Sequence, residues 1–212
     1  MKKIILALSL SLPVVLAVAQ PARVPVNDPP PTNTNTKPTN NPVTTNNNQT
    51  NTNTTVNTNA ELTKYSDPQG RFTIGYPTNW TFKSNSESAV VQITSPKEND
   101  DDNFRQNVNL QIEDMSGKTM TVDQYVKSNI DGVKESIKNY REVSSMFFNR
   151  NGSRAYEIVY KGKYGDMTYE VQIKQLFTIV NNKAYILTYI SKVDERDAFE
   201  TTANKIFNSF KY

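Results

Sequence analysis

The stretch Glu98-Asn-Asp100-Asp101-Asp102-Asn103 gathers four carboxylates within five residues. Calcium takes several carboxylate and carbonyl oxygens, so Glu98, Asp100, Asp101 and Asp102 are the candidate metal ligands. They lack the D-x-[DN]-x-[DN]-G spacing and the distal glutamate that make an EF-hand loop converge on an ion. A calcium site of low affinity at most is expected, and otherwise no cofactor. A second pair of acids, Glu113-Asp114, falls within a strand pattern. Neighbouring strand residues point to opposite faces, so these two cannot flank one scissile bond.

The chain has no histidine and no cysteine. Ser-His-Asp and Cys-His catalysis, histidine general acid–base chemistry and Cys/His zinc sites are thereby excluded. No glycine-rich phosphate loop follows any strand pattern. No catalytic set can be assigned, and a non-enzymatic protein is expected.

Tyrosine is the remaining residue type with chemistry to offer. Tyr156, Tyr160, Tyr164 and Tyr169 fall close together in a region of alternating strands. Tyrosine combines an apolar face with a polar tip, so these four form a possible surface for a glycan or an extended peptide. Tyrosine is also a good strand former, which gives the same pattern a structural explanation. Trp80, the one tryptophan, is in phase with Phe72, Ile74 and Phe82, which predicts a core position.

The elements that must position these residues begin late in the chain. Lys2-Lys3, an apolar run from Ile4 to Ala19 broken at Pro13, and the small-residue exit Ala17-Val18-Ala19 describe a secretory signal over residues 1–19. No cysteine is present to carry a lipid. Residues 20–60 form a linker; from Asn27 to Asn59 roughly two-thirds of the residues are Asn or Thr, a composition expected to stay disordered. The net charge is +3. Lys2, Lys3, Arg23 and Lys37 against Asp28 account for all of it, so residues 61–212 are neutral. Their charges are interleaved in sign, which argues against a nucleic-acid surface. The expected product is secreted and associated with the cell surface, without an integral membrane segment once the signal is removed.

Residues 61–212 read as one domain. Alternation places strands at Phe72–Tyr76, ended by Pro77, and then at Trp80–Phe82, Val91–Ile93 and Val108–Ile112. In the last of these Asn107, Asn109, Gln111 and Glu113 should face outward. Thr121-Val-Asp-Gln124 is a capping box that opens a helix with the stripe Val122, Val126, Ile130, Val133 and Ile137. Four more strands are centred on Val143–Phe148, Ala155–Tyr160, Tyr169–Ile179 and Tyr185–Ile190, with hairpin corners at Asn151-Gly152 and Asn181-Asn182. A final helix is expected from Glu195 to Phe210. The predicted fold is α+β, a single antiparallel sheet of about six to eight strands flanked by two main helices.

The segment Tyr65-x-Asp67-x-x-Gly70-x-Phe72-x-Ile74-x-Tyr76-Pro77-x-x-Trp80, with the exit Ile206-x-x-Ser209-Phe210, resembles PsbP-like domains, whose photosynthetic member is an extrinsic lumenal subunit of photosystem II. The resemblance covers nearly all of Tyr65–Tyr212. It implies an α/β/α sandwich without catalytic activity, and a protein partner at the membrane or cell surface that the domain docks onto or helps assemble. The family's histidine contacts do not transfer, because no histidine is present.

Overall fold

The structure, a computed structural model, describes residues 61–86, 89–100, 102–193 and 199–212. The expected signal (1–19) and linker (20–60) lie outside the described residues.

Among the described residues nine strands and two helices follow in the order β1 (Leu62–Ser66), β2 (Thr73–Pro77), β3 (Thr81–Ser84), β4 (Val91–Thr94), β5 (Asn107–Asp114), α1 (Val122–Ser136), β6 (Ile137–Arg150), β7 (Ser153–Tyr164), β8 (Val171–Val180), β9 (Lys183–Lys192) and α2 (Glu200–Ser209). Strands β3 to β9 form one antiparallel sheet in the order β3-β4-β5-β9-β8-β7-β6. After β5 the chain crosses to the far edge through α1, and the β6–β9 meander then returns to β5. Strands β1 and β2 form a separate antiparallel pair, so the single expected sheet is a seven-stranded sheet with a two-stranded annex.

The two helices cover opposite faces of the large sheet. On β9, Tyr185, Leu187 and Tyr189 join Phe199, Ala203, Ile206, Phe207 and Phe210 in one core, which also takes in Phe72, Ile74 and Trp80. The alternate residues Ala184, Ile186 and Ile190 join Val122, Tyr125, Val126, Ile130 and Val133 of α1 in the other. Burial on both faces explains why β9 lacks a period-two pattern: its eight residues Ala184–Ser191 are all buried. Trp80 meets Phe199 edge-on at 5.5 Å.

Local signals explain the boundaries. The Thr121 side chain accepts from the Gln124 amide at 3.2 Å, and Gln124 Oε1 accepts from the Thr121 amide at 2.9 Å, which closes the capping box. Both hairpin corners have two residues with positive φ, Asn151 and Gly152 at 49° and 82°, Asn181 and Asn182 at 49° and 57°, the geometry that follows strand twist. Two expectations change. Helix α2 begins at Glu200 with Phe199 as its N-cap; residues 194–198, where Glu195 falls, lie outside the described residues. Asn107 is buried rather than outward. The chain folds back beside it, with the Ser95 amide bonded to the Gln106 carbonyl at 2.9 Å, and Asn107 Oδ1 accepts from Asn109 Nδ2 at 2.6 Å.

Candidate interaction surface

The acidic loop is held by its own backbone. The Asp102 carboxylate accepts from the amides of Glu98 at 3.1 Å and Phe104 at 3.0 Å. Glu98 Oε1 accepts from Gln106 Nε2 at 3.0 Å, and the Asp100 carbonyl accepts from Lys97 Nζ at 3.5 Å. Asp101 lies outside the described residues. Among the described residues no three acidic side chains are grouped to hold a metal.

The four tyrosines belong to one apolar cluster, with Tyr160 buried in it and Tyr156, Tyr164 and Tyr169 partly buried against it. Tyr160 is 1% exposed and its hydroxyl donates to Gln175 Oε1 at 3.1 Å, while Gln175 Nε2 donates to Thr188 Oγ1 at 3.1 Å. Tyr140 lies over it, ring centroids 5.4 Å apart. Tyr156 and Tyr164 are partly buried on the same face of β7. Tyr169, in the β7–β8 connection, packs 5.6 Å from Phe104 with the Lys192 ammonium 5.1 Å from its ring. Burial pushes the Tyr160 phenol far above its ordinary value, and burial followed by the Glu142 charge pushes Tyr140 up to about 12. Neither is poised to exchange protons near neutrality.

A different surface stands out, on β6. This strand closes one end of the seven-stranded sheet, and Arg141–Phe147 are all exposed. Val143, Met146 and Phe147 are 55%, 58% and 38% exposed, the large apolar side chains left in solvent among the described residues. Two irregularities interrupt the pairing with β7, between Lys138 and Arg141 and between Glu142 and Ser144; Asn139, in the first, has φ 58°. Beyond them Ser144–Arg150 pairs regularly with Val159–Ser153. Phe147 is fixed in place: its ring lies 4.5 Å from that of Tyr156, with the Arg154 guanidinium 4.2 Å above it. Arg154 is in turn clamped by both oxygens of Asp123 on α1 at 2.7 and 2.8 Å. A rigid aromatic is thus presented beside a strand edge that is unpaired among the described residues. Sequence periodicity reads Val143–Phe148 as a strand but not as an edge; the available signal was an uncharged run from Val143 to Asn149 following Arg141-Glu142.

A family profile described as PsbP-like protein matches residues 34–212. The chain belongs to the PsbP-like family. The fold is shared with several solved structures. Cyanobacterial PsbP (CyanoP) from Synechocystis sp. PCC 6803 is 14% identical, over 72% of this chain and 92% of that one, with a TM-score of 0.50. LpqN of Mycobacterium tuberculosis, a protein involved in cell envelope biogenesis, is 14% identical over 71% and 90%, with a TM-score of 0.52. PA94 of Pseudomonas aeruginosa, of unknown function, is 12% identical over 71% and 96%, with a TM-score of 0.50. No curated protein sequence matches the chain.

The two motifs of this PsbP-like chain meet in space. Asp67 opens a tight turn in which the Gly70 amide bonds to the Asp67 carbonyl at 2.9 Å, with Gly70 at φ 69°. The Asp67 carboxylate takes both Arg71 Nε and Nη2 at 2.8 Å. The exit residue Phe210 packs on Phe72, ring centroids 6.2 Å apart, and Thr73 and Lys211 exchange two backbone hydrogen bonds at 2.8 and 2.9 Å. These residues form an architectural joint, so the family pattern reports fold. Among the described residues no helix is long and apolar enough to cross a membrane.

Proposed function

We propose that this PsbP-like protein is an exported, non-catalytic accessory protein that supports an extracytoplasmic membrane complex by contact. Residues 1–19 serve as its secretory signal, 20–60 as a polar spacer and 61–212 as the head that makes the contact. The observation that carries the proposal is the β6 edge, where Val143, Met146 and Phe147 are exposed beside backbone that is unpaired among the described residues. Large apolar side chains in water are a cost that partner binding removes, and an open strand edge is a template for pairing. The description of LpqN as involved in cell envelope biogenesis is consistent with work outside the cytoplasm.

Affinity capture of the full chain from detergent-solubilised envelope of its host tests this. The expected result is stoichiometric recovery of an integral membrane protein, lost in Met146→Glu. Recovery of polysaccharide in its place, or turnover of a substrate by the purified chain, overturns the proposal.

A further inference from the structure

We infer that the β6 edge pairs with β6 of a second copy, antiparallel about a two-fold axis at Ser145. This rests on reading β6 as a contact surface; it assigns that edge to a second copy, the membrane complex then being held by the dimer.

Self-pairing restricts the register. In an antiparallel pair about a two-fold axis normal to the sheet, opposed residues share a face, so the axis passes through a residue. With the axis at Ser145, Ser144 opposes Met146 of the second copy, and Val143, at the irregularity that precedes Ser144, comes against Phe147, each pair formed twice. All three exposed apolar side chains are then covered. Moving the axis to Met146 sets Val143 against Asn149, and moving it to Ser144 sets Phe147 against Arg141. Either shift forfeits the apolar cross-strand pair.

Charge permits the Ser145 register. Val143–Asn149 carries no charge. Arg141, held by Glu170, and Glu142 lie before the irregularity that precedes Ser144, outside the regular stretch, so no like charges face each other within it. Arg150 is turned away onto α2, its guanidinium bonded to the Phe210 carbonyl at 3.1 Å.

Edge protection supplies the third argument. The other end of the sheet, β3, has four residues and an exposed Lys83, the devices that blunt an edge. Strand β6 has 14 residues and no charge from Val143 to Asn149. Pairing β6 with β6 is isologous and closes, so it occupies the apolar edge without propagating a filament. A foreign strand would fill the same edge, but nothing in β6 selects one, whereas the Val143–Phe147 spacing is complementary to itself.

The absence of cysteine gives a clean test on the full chain. Residues facing each other across the axis have Cα atoms about 4.5–5.5 Å apart, within disulfide reach. Ser145→Cys is expected to form a disulfide-linked dimer on mild oxidation, and Lys83→Cys on the β3 edge is not. By sedimentation equilibrium the wild-type chain should be a dimer, with Met146→Glu weakening self-association by about tenfold or more; Met146 is too exposed for the change to threaten folding. A wild-type chain that stays monomeric overturns the inference. So does a dimer that is indifferent to Met146→Glu and does not crosslink through Ser145→Cys. A monomer that still captures its membrane protein through β6 overturns only the second copy. A Ser145-linked dimer that captures nothing supports the self-pairing and overturns the proposed function.

Discussion

The amide of Gly75 donates to the Ser209 hydroxyl at 2.7 Å, and the same hydroxyl donates to the Ile206 carbonyl at 2.6 Å. One serine thus fastens the last turn of α2 to the middle of β2 across 134 residues of sequence. The approach is close enough that a Cβ on Gly75 would stand 3.0 Å from Leu62 Cβ and Cδ1 and 3.1 Å from Ser209 Oγ. Any larger residue at 75 would press on Leu62 and Ser209 together, and the joint depends on both residues.

Gly75→Ala should therefore be costlier than its size suggests. Leu62 and Ser209 must both give way, and a displaced Ser209 leaves the Gly75 amide and the Ile206 carbonyl without this partner. We expect a loss of about 1–3 kcal/mol, the cost of leaving buried polar groups unpaired, read from urea midpoints at unchanged m-value. Ser209→Ala should cost about 1–2 kcal/mol. The double variant should fall short of the sum, because the two residues share one interaction. Strict additivity would refute the joint.

The second prediction concerns acid. The Arg71 side-chain hydrogen bonds hold the Asp67 carboxyl below its ordinary value, against burial, which acts in the opposite direction. The Asp67 side chain is only 3% exposed, so solvent screens the pair little. A carboxylate with a depressed folded-state pKa contributes stability that is fully present above its unfolded pKa of about 3.9 and is lost as pH falls through the folded value. Asp67→Asn should then lower stability at pH 7 and flatten the acid limb of the stability–pH curve below about pH 4. Denaturant titrations at stepped pH measure both. An unchanged acid limb in the variant would place the acid sensitivity elsewhere.

These two sites show what was legible in the sequence and why. Phe72, Pro77 and Trp80 could be read because period-two alternation and the missing proline amide act over a few residues, whereas Asp67 and Gly70 entered only through the family resemblance. Thr121 and Gln124, which satisfy local amides, could be read as well. Strand β1 was missed: Leu-Thr-Lys-Tyr-Ser has no clean alternation and is buried only in part, since its partner is the annex strand β2 rather than the main sheet. Tyr125 is buried in the α1 core but lies one step off the valine–isoleucine stripe. The candidate site was the least visible. A strand at a sheet edge and one in a sheet interior share a period, and the position of β6 is set by the α1 crossover and three hairpins, which no local pattern encodes.

The third prediction addresses calcium. Asp102 already accepts two backbone amides and Glu98 one side-chain amide, so a cation would compete with the bonds that shape the loop. A site with a dissociation constant of about 10 μM, within the range of EF-hand sensors, would add about 2.7 kcal/mol at ~1 mM calcium. We expect differential scanning fluorimetry to find no shift in Tm between ~1 mM calcium and a chelator. Asp102→Ala should lower Tm in both conditions alike, through the lost amide bonds. A calcium-dependent rise in Tm that Asp102→Ala abolishes would establish a metal site.

Arg150 provides the last test, because its charge and its shape make different demands. At the C-terminus of α2 the Arg150 guanidinium bonds the carbonyl of Phe210 and that of Phe207, which also accepts from the Phe210 amide at 3.2 Å. The Tyr212 hydroxyl donates to the Arg150 carbonyl at 2.8 Å, tying the end of the chain to the same strand. Desolvation is the main influence on Arg150 and lowers its pKa, so the site keeps a cation at some cost. If a point charge at the negative end of the helix were enough, Arg150→Lys would restore nearly everything that Arg150→Met removes. The planar guanidinium can hold two carbonyls with one rigid group, whereas the lysine ammonium is a compact point charge on a flexible stem. We expect Arg150→Met to cost about 2 kcal/mol and Arg150→Lys to recover less than half of it, both from urea midpoints. Amide exchange should quicken first at Phe210 and Lys211, where the joint with β2 depends on the helix end. Full recovery by lysine would show that charge alone holds the terminus.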